Sequence, residues 1–203
     1  MNLFQGYQKF FDKYFKEKPE LYEKLLYQQS PEILFLACCD SRIDPAILTS
    51  AEPGQLFVVR NIANYVPSYV SRLQESEAMT AIEFAVCNLK VQSIIVLGHQ
   101  NCAGIKAIVH GDQGEAVSNL PIVWQEQRTR LQEAVHMQYT QETAGSFEKA
   151  NIQLACHDLL TYPFIQERVN QNKLTVAGWY FYLETGVIEV YNPEKNTFTV
   201  LGT

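Results

Sequence analysis

Three short apolar runs, residues 33–37, 56–60 and 93–97, constrain this 203-residue chain more than any other feature of its sequence. None alternates between apolar and polar residues, and each is too short for an ordinary helix. Such a run must be buried on both faces, the condition of a strand inside a parallel sheet covered by helices. The segments between and after the runs have the matching period. Residues 75–89 place Ala78, Ile82, Ala85, Val86 and Leu89 on one helical face. Residues 104–110, 121–137 and 147–171 are expected to be mainly helical, with Pro163 interrupting the last. Finally, residues 174–183 and 187–191 flank Glu184-Thr185-Gly186, a hairpin signal at the sheet edge. The pattern predicts an α/β fold with a central, mostly parallel β-sheet flanked by helices.

Ahead of the first run lies an arm of different character. Leu3, Phe4, Tyr7, Phe10, Phe11, Tyr14 and Phe15 recur at helical spacing, and Pro19 opens a second short helix carrying Leu21, Tyr22, Leu25 and Leu26. An arm this apolar needs cover, either from its own core or from a dimer partner. No repeat, low-complexity tract or linker divides the chain. Residues 1–203 are therefore expected to form a single domain, with 1–28 as the helical arm and 29–203 as the α/β core. A formal net charge of −6 with no basic run argues against nucleic acid or an anionic membrane as partner. No apolar stretch approaches the roughly 20 residues needed to cross a bilayer. Residues 1–18 lack the apolar centre of a secretory signal, and five cysteines without small-scaffold spacing point away from a disulfide framework. A cytoplasmic chain with reduced thiols is the expectation.

In parallel sheets, ligands collect at the carboxyl ends of the strands. Two turns leave strands there with unusual chemistry: Ala37-Cys38-Cys39-Asp40-Ser41-Arg42 and Gly98-His99-Gln100-Asn101-Cys102-Ala103-Gly104. His99 and Cys102 are three residues apart, which lets both converge on one point as a turn enters a helix. Cys38 supplies a third ligand from the neighbouring strand end. Two thiolates, one imidazole and a fourth, exchangeable position are the pattern of a catalytic zinc, one Zn²⁺ per chain. Asp40 is the obvious occupant or regulator of that fourth position. Because two thiolates cancel the charge of the cation, such a metal acidifies water weakly and needs help. Asp40 can accept a hydrogen bond from the water, and Arg42 can pair with that carboxylate and keep it off the metal. If the pair breaks, Asp40 is free to close the site, which would make activity pH-dependent. Cys39, Cys87 and Cys156 are read as small buried hydrophobes, Cys156-His157 as packing, and His110 and His136 as surface residues, either able to carry protons.

The two turns resemble the signatures of the β-class carbonic anhydrases, Cys-x-Asp-Ser-Arg and Gly-His-x-x-Cys-Gly. The likeness extends through residues 56–64, 81–86 and 178–180, and runs from roughly Phe10 to Tyr191. The resemblance implies Cys38, His99 and Cys102 as zinc ligands and Asp40 with Arg42 as an acid–arginine dyad. It implies reversible hydration of carbon dioxide to bicarbonate and a proton by hydroxide on the metal. It also implies a homodimer or homotetramer with sites near the subunit interface. Two departures stand out. Ala103 replaces the first of two glycines usual after the second cysteine, and Phe35 stands where an allosteric subgroup has a tryptophan of its regulatory bicarbonate pocket. Residues 66–76 match the family least and should lie near the substrate entrance.

Rival readings keep the same ligands. A carbonyl sulfide or carbon disulfide hydrolase would differ only in pocket shape, and a non-catalytic zinc protein would have Asp40 permanently completing a closed tetrahedron. Nucleotide binding is set aside, since residues 98–104 lack both the Gly-Lys-Ser/Thr ending and the three-glycine fingerprint.

Overall fold

A computed structural model describes residues 2–69, 76–110 and 122–202. The three apolar runs are parallel strands: β1 (Ile33–Cys38), β2 (Leu56–Asn61) and β3 (Ser93–His99). They join β4 (Thr175–Phe181), β5 (Ile188–Asn192) and β6 (Thr197–Val200) in one sheet of order β2-β1-β3-β4-β5-β6. The first four strands are parallel and the last two return antiparallel. The expected hairpin is therefore β4 and β5, but it does not form the edge; β6 pairs outside it.

Burial of β1 and β3 on both faces explains their unbroken apolar character. Leu34, Leu36, Ile94 and Val96 pack to one side, with Ile82 and Val86 of α4 (Glu77–Glu83, continuing as a wider π turn, Phe84–Asn88) and Ile165 of α8 (Pro163–Asn170). Phe35, Ala37, Ile95 and Leu97 pack to the other. There they meet Ile105 and Ile108 of α5 (Ala103–His110) and Leu131 of α6 (Ile122–Val135). Helix α7 (Ala144–Leu159) feeds both clusters. It starts three residues earlier than its sequence period suggests, and Pro163 opens α8 instead of kinking one long helix. A short helix α3 (Pro45–Thr49), capped by the Asp44 side chain, follows β1. No described helix is long and apolar enough to cross a membrane.

The arm forms α1 (Leu3–Phe11), extended by a π turn (Asp12–Glu17), and α2 (Pro19–Leu25). None of these segments contains a buried residue. Its aromatics stack mainly on one another, as in Phe11 on Phe15 and Phe15 on Tyr22. Contact with the core includes Lys18 to Glu52 and Leu25 over Gly54, whose φ of 90° favours glycine. Leu3 and Phe4 stay 73% and 72% exposed, so the core among the described residues leaves this end of the arm uncovered.

Candidate metal centre

Register decides where the chemistry lies. Ala37 stands opposite Leu97, so β1 and β3 release their following turns at the same edge of the sheet. The Cys38 and Cys102 sulfurs lie 3.9 Å apart. Ligand atoms of Cys38, His99 and Cys102 all fall within 4.8 Å of one another, and all three residues are buried. His99 Nδ1 sits 3.0 Å from the Gln100 carbonyl oxygen and donates to it, the tautomer that leaves a lone pair on Nε2. That Nε2 is buried and has no hydrogen-bond partner among the described residues. Buried polar atoms are almost always satisfied, so the imidazole is aimed at something the described residues do not supply.

Zinc fits these donors. A tetrahedron with Zn–S near 2.3 Å separates two sulfurs by about 3.8 Å, whereas a disulfide would need about 2.05 Å; both cysteines are free. The proton affinities agree. Cys38 is lowered to about 4, chiefly because the Cys102 thiol donates to its sulfur, with His99 adding to the effect. Cys102, donor in that pair and buried, is pushed up. Burial opposes charge on His99, yet the adjoining Cys38 sulfur raises it above its ordinary value. Three groups thus compete for protons in one space, and a dication would replace those protons.

Asp40 and Arg42 meet as the spacing suggests. Arg42 Nε donates to Asp40 Oδ1 at 2.9 Å and Nη2 donates to Oδ2 at 2.7 Å, while the Arg42 amide donates to Oδ1 at 3.0 Å. The guanidinium holds the carboxyl well below the usual carboxylate range. Asp40 Oδ2 lies 3.8 Å from His99 Nε2, beside the cluster, with the pair to Arg42 intact. Arg42 Nη2 also donates to the Asn101 carbonyl, tying one turn to the other.

Sequence reasoning missed the residues that hold these turns. Arg60 on β2 donates to the carbonyl oxygens of Cys38, Asp40 and Ile43 and pairs with Asp44. Glu148 and Asn151 on α7 reach the backbone at Cys102 and Ala63. Of the remaining cysteines, Cys156 is buried as expected, but Cys39 is exposed and Cys87 half-buried. Cys39 lies just past the end of β1, in the turn beyond the cover of the two core clusters. His110 and His136 are on the surface. Phe35 is fully buried and packs edge-on against Trp179, and Ala103 is exposed. In the stretch expected near the entrance, Val66 is a core residue, whereas residues 70–75 lie outside the described residues.

Comparison with known proteins gives one answer. A family model described as carbonic anhydrase matches residues 33–188. The chain is 34% identical over 205 residues to a carbonic anhydrase of Helicobacter pylori (strain J99), covering 98% of this chain and 93% of that one. It is also 34% identical to a carbonic anhydrase of Synechocystis sp., covering 97% and 72%. Among solved structures, the β-carbonic anhydrase CcaA superposes with a TM-score of 0.86 at 30% identity, covering 98% of this chain and 97% of that chain. One of two tetrameric β-carbonic anhydrases from Sordaria macrospora gives 0.79 at 25% identity, covering 99% and 95%.

Proposed function

This chain belongs to the β-class carbonic anhydrase family, and we propose that it catalyses the reversible hydration of carbon dioxide at a zinc held by Cys38, His99 and Cys102. The observation that carries the reading is the unpartnered His99 Nε2, buried among two cysteine sulfurs and facing Asp40. When bound, zinc supplies the Lewis acidity that makes water nucleophilic near neutral pH. The chain's own residues then set its direction. Asp40, kept anionic by Arg42, would accept a hydrogen bond at Oδ2 from a water bound beside the cluster and so orient it. Arg42 keeps that carboxylate ionised and fixed, because its fork and its amide together engage both oxygens. The same grip favours an open fourth position, since Asp40 would have to give up Arg42 to close it.

Two measurements test this. The purified chain should contain about one zinc per protomer, and hydration of carbon dioxide followed by stopped flow should greatly exceed sulfide release from carbonyl sulfide. Dominant sulfide release would replace the substrate, and a cobalt spectrum of a closed site throughout the pH range would remove the enzyme. Cys38→Ala, His99→Ala or Cys102→Ala should lose metal and turnover together. Asp40→Asn should keep zinc and lose about 10²–10⁴-fold in kcat; full activity would discard the role given to Asp40.

We extend the proposal to self-association. The uncovered aromatic face of α1 supports it, and the Sordaria macrospora relatives are described as tetrameric.

A further inference from the structure

Helix α7 carries three buried polar residues that the chemistry above does not use; Asp158 is paired with Arg130, and the other two reach towards the centre. Glu148 is 2% exposed and Asn151 1% exposed. Three positions apart, they share one face of the helix. Glu148 Oε1 accepts from the Cys102 amide at 2.8 Å, and its Oε2 accepts from the Tyr180 hydroxyl at 2.7 Å. These bonds come from an amide and a phenol, not from a cation, so the burial of this carboxyl is costly. Asn151 Nδ2 donates to the Ala63 carbonyl at 2.8 Å, and Gln127, itself 3% exposed, donates Nε2 to Asn151 Oδ1 at 2.8 Å.

What these bonds hold is specific. Cys102 immediately precedes α5, whose first amides lie near its sulfur, so fixing its backbone helps to fix the sulfur. Ala63, in the same buried cluster as Cys38 and Cys102, sits in a left-handed turn with φ of 61°, followed by Asn64 at 44°. Such conformations cost non-glycine residues about 1–3 kcal/mol each and persist only where the surroundings impose them. Asn61 closes this turn by bonding both backbone groups of Tyr65, and Asn151 holds the Ala63 carbonyl from outside it. One helix face therefore reaches the backbone beside both cysteine sulfurs.

We propose that Glu148 and Asn151 are positioning residues that set the separation and orientation of the Cys38 and Cys102 sulfurs, so that zinc affinity depends on the seat of α7. The proposal rests on reading the centre as a zinc site. Its test is zinc affinity, by competition with a chromogenic chelator on the full chain, with the sulfur-to-metal charge-transfer bands of the cobalt-loaded protein as the geometric readout. Glu148→Gln keeps an acceptor for the Cys102 amide and offers an amide to Tyr180, whose hydroxyl can turn to accept it. Glu148→Asp keeps the charge but is one methylene short. Positioning predicts near-native affinity and spectrum for Glu148→Gln. It predicts a roughly 10–100-fold loss with shifted bands for Glu148→Asp and for Asn151→Ala.

The opposite order, with the aspartate variant intact and the glutamine variant weakened, would make charge the agent and overturn the proposal. Unchanged affinity and spectrum in both Glu148→Asp and Asn151→Ala would do the same. If Glu148→Asp does not fold, the isosteric Glu148→Gln beside Asn151→Ala carries the comparison. Melting of the metal-free variants at the wild-type temperature assigns any loss to the centre; a loss that merely follows a lowered melt overturns the proposal. A wild-type chain that binds no zinc would retire the functional reading itself, whereas failure confined to the variants retires this proposal alone.

Discussion

A single methyl is enough to disturb the centre. A Cβ on Gly104 would lie 2.7 Å from Ile62 Cγ2 and 3.0 Å from the Ala63 backbone nitrogen, and a backbone atom cannot swing aside. Gly104→Ala should cost about 1–3 kcal/mol in urea melting and weaken zinc binding, because the Ala63 backbone it displaces lies in the same buried cluster as Cys38. Neighbouring Ala103 is exposed, so its methyl does not meet the crowding that a methyl at 104 would. Arg60 acts at the same scale. Its guanidinium satisfies three carbonyl oxygens of the first turn, so Arg60→Met should destabilise the chain by about 2–3 kcal/mol, read as a lowered urea midpoint at unchanged slope.

Between elements, the closest fit is α7 on β4. A Cβ on Gly178 would come within 2.4 Å of Ile152 Cγ2 and 3.1 Å of Cys156 Sγ. Gly178→Ala should be overpacked and Ile152→Ala underpacked, each by about 1–3 kcal/mol or more. The double variant should lose less than the sum, since the new methyl enters the space the isoleucine vacates. The same helix shows what the sequence can and cannot disclose. Strands β1 and β3 were legible because burial on both faces leaves almost no polar position, whereas β2 is an edge strand with no buried residue and was legible only through its apolar, β-branched run. The convergence of Cys38, His99 and Cys102 and the Asp40–Arg42 pair were legible because metal chemistry admits few residue types. Glu148 and Asn151 were not, since a polar residue in a helical pattern reads as solvent-facing, and only the fold shows both at 2% exposure or less. Strand β6 escaped notice for a different reason: it has four residues, none buried and three exposed, and Phe198 is its one side chain packed on the core. Cys39 was misread because a cysteine's usual burial was assumed, whereas it lies just past the end of β1, in the exposed turn.

For the molecule as a whole, burial sets an alkaline limit. It pushes Cys156 and Tyr65 up to about 12 from ordinary values of 9.0 and 10.0. The unfolded chain therefore releases these protons first, so the stability they contribute is full below about pH 9 and falls as the pH rises towards 12. Urea midpoints should decline over that interval, less steeply in Cys156→Ala; a midpoint level from pH 9 to 12 would contradict the assignment. If the arm serves self-association as proposed, deleting residues 2–25 should leave metal content unchanged and lower the mass seen in sedimentation.

The wide spacing of the centre along the chain also sets a timetable for its birth. Cys38 and Cys102 are 64 residues apart, and Glu148 bonds to Cys102 across a further 46. A nascent chain emerging from the ribosome carries its first sulfur long before the second, and both before the helix that holds them. Loop closure on this scale costs entropy before any contact repays it. If the centre holds metal as proposed, its capture would fall at the end of synthesis, once α7 has emerged to close the site.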